Sequence, residues 1–194
     1  MRPPILDRVE EAGHVVFDNG SYDINLIGIR SPSREAGAFD DKMVIVFKDT
    51  SGVWTCHWMA CTTDPGIPWL EGPMKDTGCA ILVPGQYRGV YTLDLHRGKY
   101  EALCQRRGPV KIYRDSNKDS TLDLSPESIS EGYFGINIHR SSTRPGGSRI
   151  VGRHSAGCTV IQDPLAFALL LECCQQQINH HPTWTSFTYT LLED

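Results

Sequence analysis

The chain has 194 residues, a net charge of −4, 40% hydrophobic and 22% charged residues. This balance fits a soluble globular protein read as one domain over 1–194. It offers no basic excess for nucleic acid as a main partner, and no window approaches the roughly 18 apolar residues of a membrane span.

In chain order, Leu6–Ala12 reads as a short helix ended by Gly13, and Tyr22–Ile29 as a strand. Ser31–Asp41 reads as a loop, and Met43–Phe47 and Val53–Cys61 as strands joined by the turn-like Asp49-Thr50-Ser51-Gly52. Thr62–Thr77, rich in Pro, Gly and Asp, is a long irregular connection of the kind that often carries function. Cys79–Val83 and Val90–His96 are strands around Pro84–Gly89, Tyr100–Gln105 is ambiguous, and Val110–Tyr113 is a strand before a polar loop at Asp115–Glu131. Near the end, Asp163 suits a helix N-cap and Pro164 the first helical position. The nearly all-apolar Leu165–Cys174 then predicts a helix buried all round, and Ser186–Leu192 a last strand. The fold class that results is α+β and β-rich.

Seven cysteines at irregular spacing, with no CxxC pair, argue against a disulfide framework and against a common structural zinc site. One of them has a suggestive context. The alternating segment Gly135-Ile136-Asn137-Ile138-His139 delivers a histidine to a strand end. Fifteen loop-like residues follow, and then Ser155-Ala156-Gly157-Cys158 runs into apolar Val160-Ile161. A thiol nucleophile needs a base and donors for an oxyanion. His139 is the preferred base, with His154 as its rival, and the backbone of Ala156 and Gly157, up to Cys158, is the candidate oxyanion site.

At these residues the sequence resembles the L,D-transpeptidase catalytic domain, the YkuD-like family, whose motif is a His, a loop, and Ser/Thr-His-Gly-Cys. Thr62-Thr63-Asp64-Pro65-Gly66 and Leu82-Val83-Pro84-Gly85-Gln86-Tyr87 resemble the turns that precede its motif strands, so the likeness covers about 43–162. Ala156 stands where the family has a second histidine, and Val160 where it has a polar residue, marking a divergent member. The resemblance implies a β-sandwich or barrel, with one buried helix after the cysteine. It also implies cysteine-dependent acyl transfer or hydrolysis on peptidoglycan stem peptides without a required cofactor. In that scheme Cys158 is the nucleophile, His139 the base and Ser155 its orienting residue. Arg140, Arg153, Tyr87 and His96 are candidates for substrate binding. The N-terminus MRPPILDRVEEAG lacks the apolar core of a secretory signal. The expectation is therefore a cytoplasmically made protein that reaches the cell wall or periplasm through phage lysis, a virion or a specialised secretion machine. A phage endolysin or wall-directed effector would fit, and there hydrolysis gains on synthesis. The alternative is a catalytically silent wall-binding or virion structural module.

A second candidate site is the loop bearing Asp115, Asn117, Asp119 and Asp123. Its oxygens alternate as in the first part of an EF-hand loop, which raises a structural Ca²⁺. It departs where Ser120 replaces the Gly of position six and Pro126 the closing Glu.

Overall fold

A computed structural model describes residues 1–194. Eight strands close into a barrel in the order β1 (Asn25–Arg30), β11 (Phe187–Glu193), β5 (Gly85–His96), β6 (Tyr100–Gln105), β9 (Ile138–Arg140), β10 (Thr159–Ile161), β3 (Trp54–Thr62) and β2 (Asp41–Lys48). The pairs β1–β11 and β9–β10 are parallel, and the others are antiparallel. Closure leaves this sheet without an open edge.

The run Met43-Val44-Ile45-Val46-Phe47 is apolar at every position because β2 is covered on both faces. Met43, Ile45 and Phe47 join the barrel core, while Val44 and Val46 lie in a separate cluster with Ile5, Leu6 and Val9 of α1 (Ile5–Glu11). Burying those three α1 side chains contributes roughly 1.5–3 kcal/mol each, enough to hold a seven-residue helix that is too short to persist alone.

A second sheet orders β4 (Cys79–Leu82), β7 (Val110–Asp115) and β8 (Ser130–Gly132). The irregular connection after β3 holds one helical turn, α2 (Ile67–Leu70). The segment Pro84–Gly89, expected as a turn, is mostly strand: β5 starts at Gly85 and pairs with β11 through Gln86 and Tyr87. The ambiguous Tyr100–Gln105 is β6, fixed by its hairpin register with β5.

The long helix α3 (Pro164–His180) begins as its sequence predicts, the Asp163 side chain accepting the Leu165 amide at 3.0 Å. It is not buried all round. Phe167, Leu170, Cys173 and Cys174 enter the core, but Leu165 is 75% exposed, because α3 lies against the barrel along one face only. Its last turn is tied down by Gln177, which accepts the Ile24 amide at 3.2 Å and donates to the Trp184 carbonyl at 3.1 Å. No helix is long and apolar enough to cross a membrane.

Candidate active site

The parallel ladder between β9 and β10 brings the histidine and the cysteine together. Thr159 pairs with Ile138 and Val160 with His139, and the Thr159 amide donates to the Asn137 carbonyl at 3.0 Å. Extending that register one step sets Cys158 opposite Asn137. Side chains alternate along a strand, so Cys158, Asn137 and His139 share one face of the ribbon while Ile138 and Ile161 face the core. Cys158 is half-buried, with its sulfur between two main-chain groups: the Asn137 amide donates to Sγ at 3.4 Å, and the thiol donates to the Gly135 carbonyl at 3.4 Å.

The Gly135 carbonyl is held in place by Gln105, a buried residue at the end of β6. Its Oε1 accepts the amides of Phe134, Gly135 and Ile136 at 3.2, 2.9 and 3.1 Å. Its Nε2 donates to the Gly132 carbonyl at 2.9 Å. One side chain thus satisfies a run of amides that no strand would pair, and fixes the wall beside the sulfur.

Hydrogen bonding fixes the tautomers of two adjacent imidazoles. Asn137 Oδ1 accepts the Gln105 amide at 2.9 Å, which turns its Nδ2 toward His96 Nδ1 at 3.1 Å. His96 Nδ1 is therefore an acceptor, and its proton sits on Nε2. His139 Nδ1 lies 2.9 Å from the Arg140 carbonyl, to which it donates, leaving the lone pair on Nε2. The ring centroids of His96 and His139 are 4.2 Å apart. Burial, then the neighbouring His96, lowers the His139 imidazole to about 3. Burial, then the charge of Arg97, also lowers His96. Burial raises the Cys158 thiol, opposed by the Asn137 amide and the charge of Arg97. A neutral thiol thus stands beside neutral imidazoles, an arrangement that calls for a general base at the moment of attack.

The loop before β10 is shaped by Gly157, whose φ of 120° is in the glycine-favouring region, and a Cβ there would come within 2.3 Å of the Ala80 carbonyl oxygen. Ser155 does not orient His139. Its hydroxyl donates to the Cys158 carbonyl at 2.8 Å and accepts the Gly157 amide at 3.2 Å. The orienting group is the Arg140 carbonyl, a main-chain atom that side-chain motifs do not reveal. The proposed oxyanion donors change accordingly. Gly157 N–H is already engaged, whereas the amides of Ala156 and Cys158 make no hydrogen bond within the protein.

A cleft of about 490 Å³ opens beside the sulfur, between the small sheet and the β5, β6, β9 and β10 side of the barrel. Cys158, Ala156, Asn137, His96 and His154 line it, while His139 sits behind His96 and is 5% exposed. The cleft brings in His96, as expected, but not the other candidate binders. Tyr87 is a core brace whose hydroxyl donates to the Val83 carbonyl at 2.5 Å. Arg140 stacks on Tyr100, 3.7 Å from its ring centroid. Arg153 lies 5.0 Å over the Trp69 ring, at the cleft's margin. Asn137, Gln105, Lys75 and Arg97 were missed. For Asn137 a signal existed: it alternates with His139 as a polar position in an otherwise apolar strand.

The loop over Asp115–Asp123 folds as a run of side-chain turns. Asp115 Oδ2 accepts the Asp123 amide at 2.9 Å, Asn117 Oδ1 the Asp119 amide at 3.2 Å, and Asp119 Oδ1 the Thr121 amide at 2.7 Å. One oxygen of each of these side chains serves the loop's own backbone, Asp115 Oδ1 is buried with no hydrogen-bond partner, and no three His, Cys, Asp or Glu side chains gather as a metal site.

No protein-family model, no curated protein and no solved structure matches this chain.

Proposed function

We propose that this protein is a cysteine-dependent acyl-transfer enzyme of the L,D-transpeptidase type acting on peptidoglycan stem peptides. The observation that carries the reading is the common face shared by Cys158 and His139, with the His139 lone pair fixed on Nε2 by the Arg140 carbonyl. The motif His139…Ser155-Ala156-Gly157-Cys158 and the β-rich barrel agree with it.

In this scheme His139 Nε2 takes the thiol proton as Sγ bonds to the carbonyl carbon of an L-centre residue joined to a D-amino acid. The oxyanion is met by the free amides of Ala156 and Cys158 and by His96 Nε2–H. Collapse breaks the C–N bond, and the departing amine takes the proton from His139. Water, or an acceptor amine, then attacks the thioester and gives its proton to His139. The C–S bond breaks, and that proton returns to the thiolate.

A second reading, a silent wall-binding module, rests on one observation: no hydrogen bond joins Cys158 to either imidazole, and its thiol is bonded to Gly135. The test is mass spectrometry of purified muropeptides incubated with the wild type and with Cys158→Ala. The acyl-transfer reading expects shortened or exchanged stems, a transient thioester on Cys158, and loss of both in the variant at unchanged melting temperature. Wall changes that persist in Cys158→Ala, or their absence in both proteins, would reject it.

A further inference from the structure

The cleft beside Cys158 has a charge opposite to that of the chain. Lys75, Arg97, Arg106 and Arg114 line it and no Asp or Glu does, in a protein of net charge −4. Two of the four cations are already committed. Arg106 Nε is 2.6 Å from Asp94 Oδ2. Arg114 donates to the Gly78 carbonyl at 3.3 Å and lies 4.9 Å over the Phe134 ring.

Lys75 and Arg97 have no ion-pair partner. Arg97 sits at φ 51° in the turn between β5 and β6, next to His96. That left-handed region is one a long side chain enters at a steric cost, where Gly or Asn is usual. The two free cations approach the cleft from different elements, Arg97 from the β5–β6 turn and Lys75 from the connection between α2 and β4. A low-dielectric cleft lined by one sign of charge concentrates ligands of the other.

We propose that this cleft selects an acyl donor with free carboxylates beside the reacting carbonyl, paired by Arg97 and Lys75, and that it discriminates against the same peptide with its carboxylates amidated. Arg97, next to His96, takes the carboxylate nearer the scissile bond. Lys75 takes the more distant one. This inference deepens the acyl-transfer reading and rests on it for the identity of the reacting bond.

The test uses two synthetic tetrapeptides with an L-centre residue joined to a terminal D-amino acid, one with free carboxylates and one with carboxamides. Binding to the Cys158→Ala variant of this chain is measured by calorimetry, and turnover by the wild type. The carboxylate form is expected to bind about tenfold more tightly, as a charge-assisted contact worth that factor would give. The preference should weaken with added salt. Arg97→Gln and Lys75→Met should each remove most of it without changing the melting temperature. Equal binding of the two peptides, a preference untouched in the double variant, or equal competition from a single-stranded oligonucleotide of matched charge would overturn the inference. Preferential binding without turnover by the wild type would reject the catalytic reading and leave this one standing. Turnover without preference would do the reverse.

Discussion

Two buried polar clusters in this barrel look alike by burial and differ in what they can do. The first is Cys158 with Asn137, His96 and His139. The second is Arg30 with Asp64, Thr63 and Asp41, where Arg30 Nε lies 2.9 Å from Asp64 Oδ1 and donates a hydrogen bond to Thr63 Oγ1 at 3.1 Å. Asp41 Oδ2 accepts from the Thr63 hydroxyl at 2.7 Å. Only Asp64 pairs with the guanidinium, Asp41 being bonded to Thr63 instead, and burial raises both carboxyls, Asp64 to about 7. Shifted titration is therefore common to the two clusters and does not by itself mark a functional site. What differs is charge and access. The Arg30 cluster is ionic and closed, and it anchors Thr62–Gly66, whose Gly66 amide donates to the Ser155 carbonyl at 2.9 Å. A Cβ on Gly66 would fall 1.9 Å from the Gly152 carbonyl oxygen, so the two loops meet with no room for a side chain. The cysteine cluster is neutral, has its tautomers fixed, and opens on a cleft. One region holds the other in position.

The sharpest way to separate them is to remove one group from each. His139→Ala is expected to lower turnover by about 10²–10⁴-fold, the usual worth of a general base, with a folded protein by circular dichroism. Arg30→Met should act on the fold first. Breaking a buried pair from one side costs about 3–5 kcal/mol, read as a lower urea midpoint, and activity should fall only as far as the folded fraction does. If Arg30→Met removed turnover in a fully folded protein, the division of labour would be wrong.

The clusters should also respond to pH with opposite sign. His139 has a folded value of about 3 against an ordinary value near 6.5, so the unfolded chain takes up a proton that the folded one refuses. Its contribution is complete above 6.5 and declines as pH falls toward 3. Asp64, raised to about 7, contributes fully below the ordinary carboxylate value, and that contribution is lost as pH rises toward 7. Melting temperatures across pH 3–8 should show the acid-side decline weakened in His139→Gln and the opposite component removed in Asp64→Asn. The same His139 value predicts an acid limb of kcat/KM centred near pH 3. A limb at the ordinary imidazole value would assign the base to another histidine. The smallest effect is expected from Tyr100→Phe. Its hydroxyl lies 3.3 Å from His139 Nδ1, whose proton already goes to the Arg140 carbonyl, so turnover should change by less than about threefold for a bond of roughly half a kcal/mol.

Much of the architecture was legible in residue pattern. The apolar run of β2, the N-cap at Asp163 and the alternation into His139 mark local structure because local sterics and capping decide it. So was the pairing of Cys158 with His139 as one candidate site, since a small-residue approach to a cysteine after a strand-end histidine is a pattern the residues carry themselves, and the β9–β10 register sets the two on one face. The local pattern misjudged Pro84–Gly89 because pairing with β11 overrides turn propensity. It misjudged α3 because helical composition does not say how many sides meet protein.

The sequence alone determined that a strand-end histidine, a Gly- and Ser-rich loop and a cysteine preceded by small residues follow one another in this chain. Only the tertiary structure decided how they are held. The orienting acceptor is a main-chain carbonyl at Arg140, the tautomer of His96 is set by a side chain bonded across to Gln105, and Lys75 and Arg97 converge on one cleft from separate elements. Each depends on strand register and on main-chain atoms that every residue carries, so no residue type announces it.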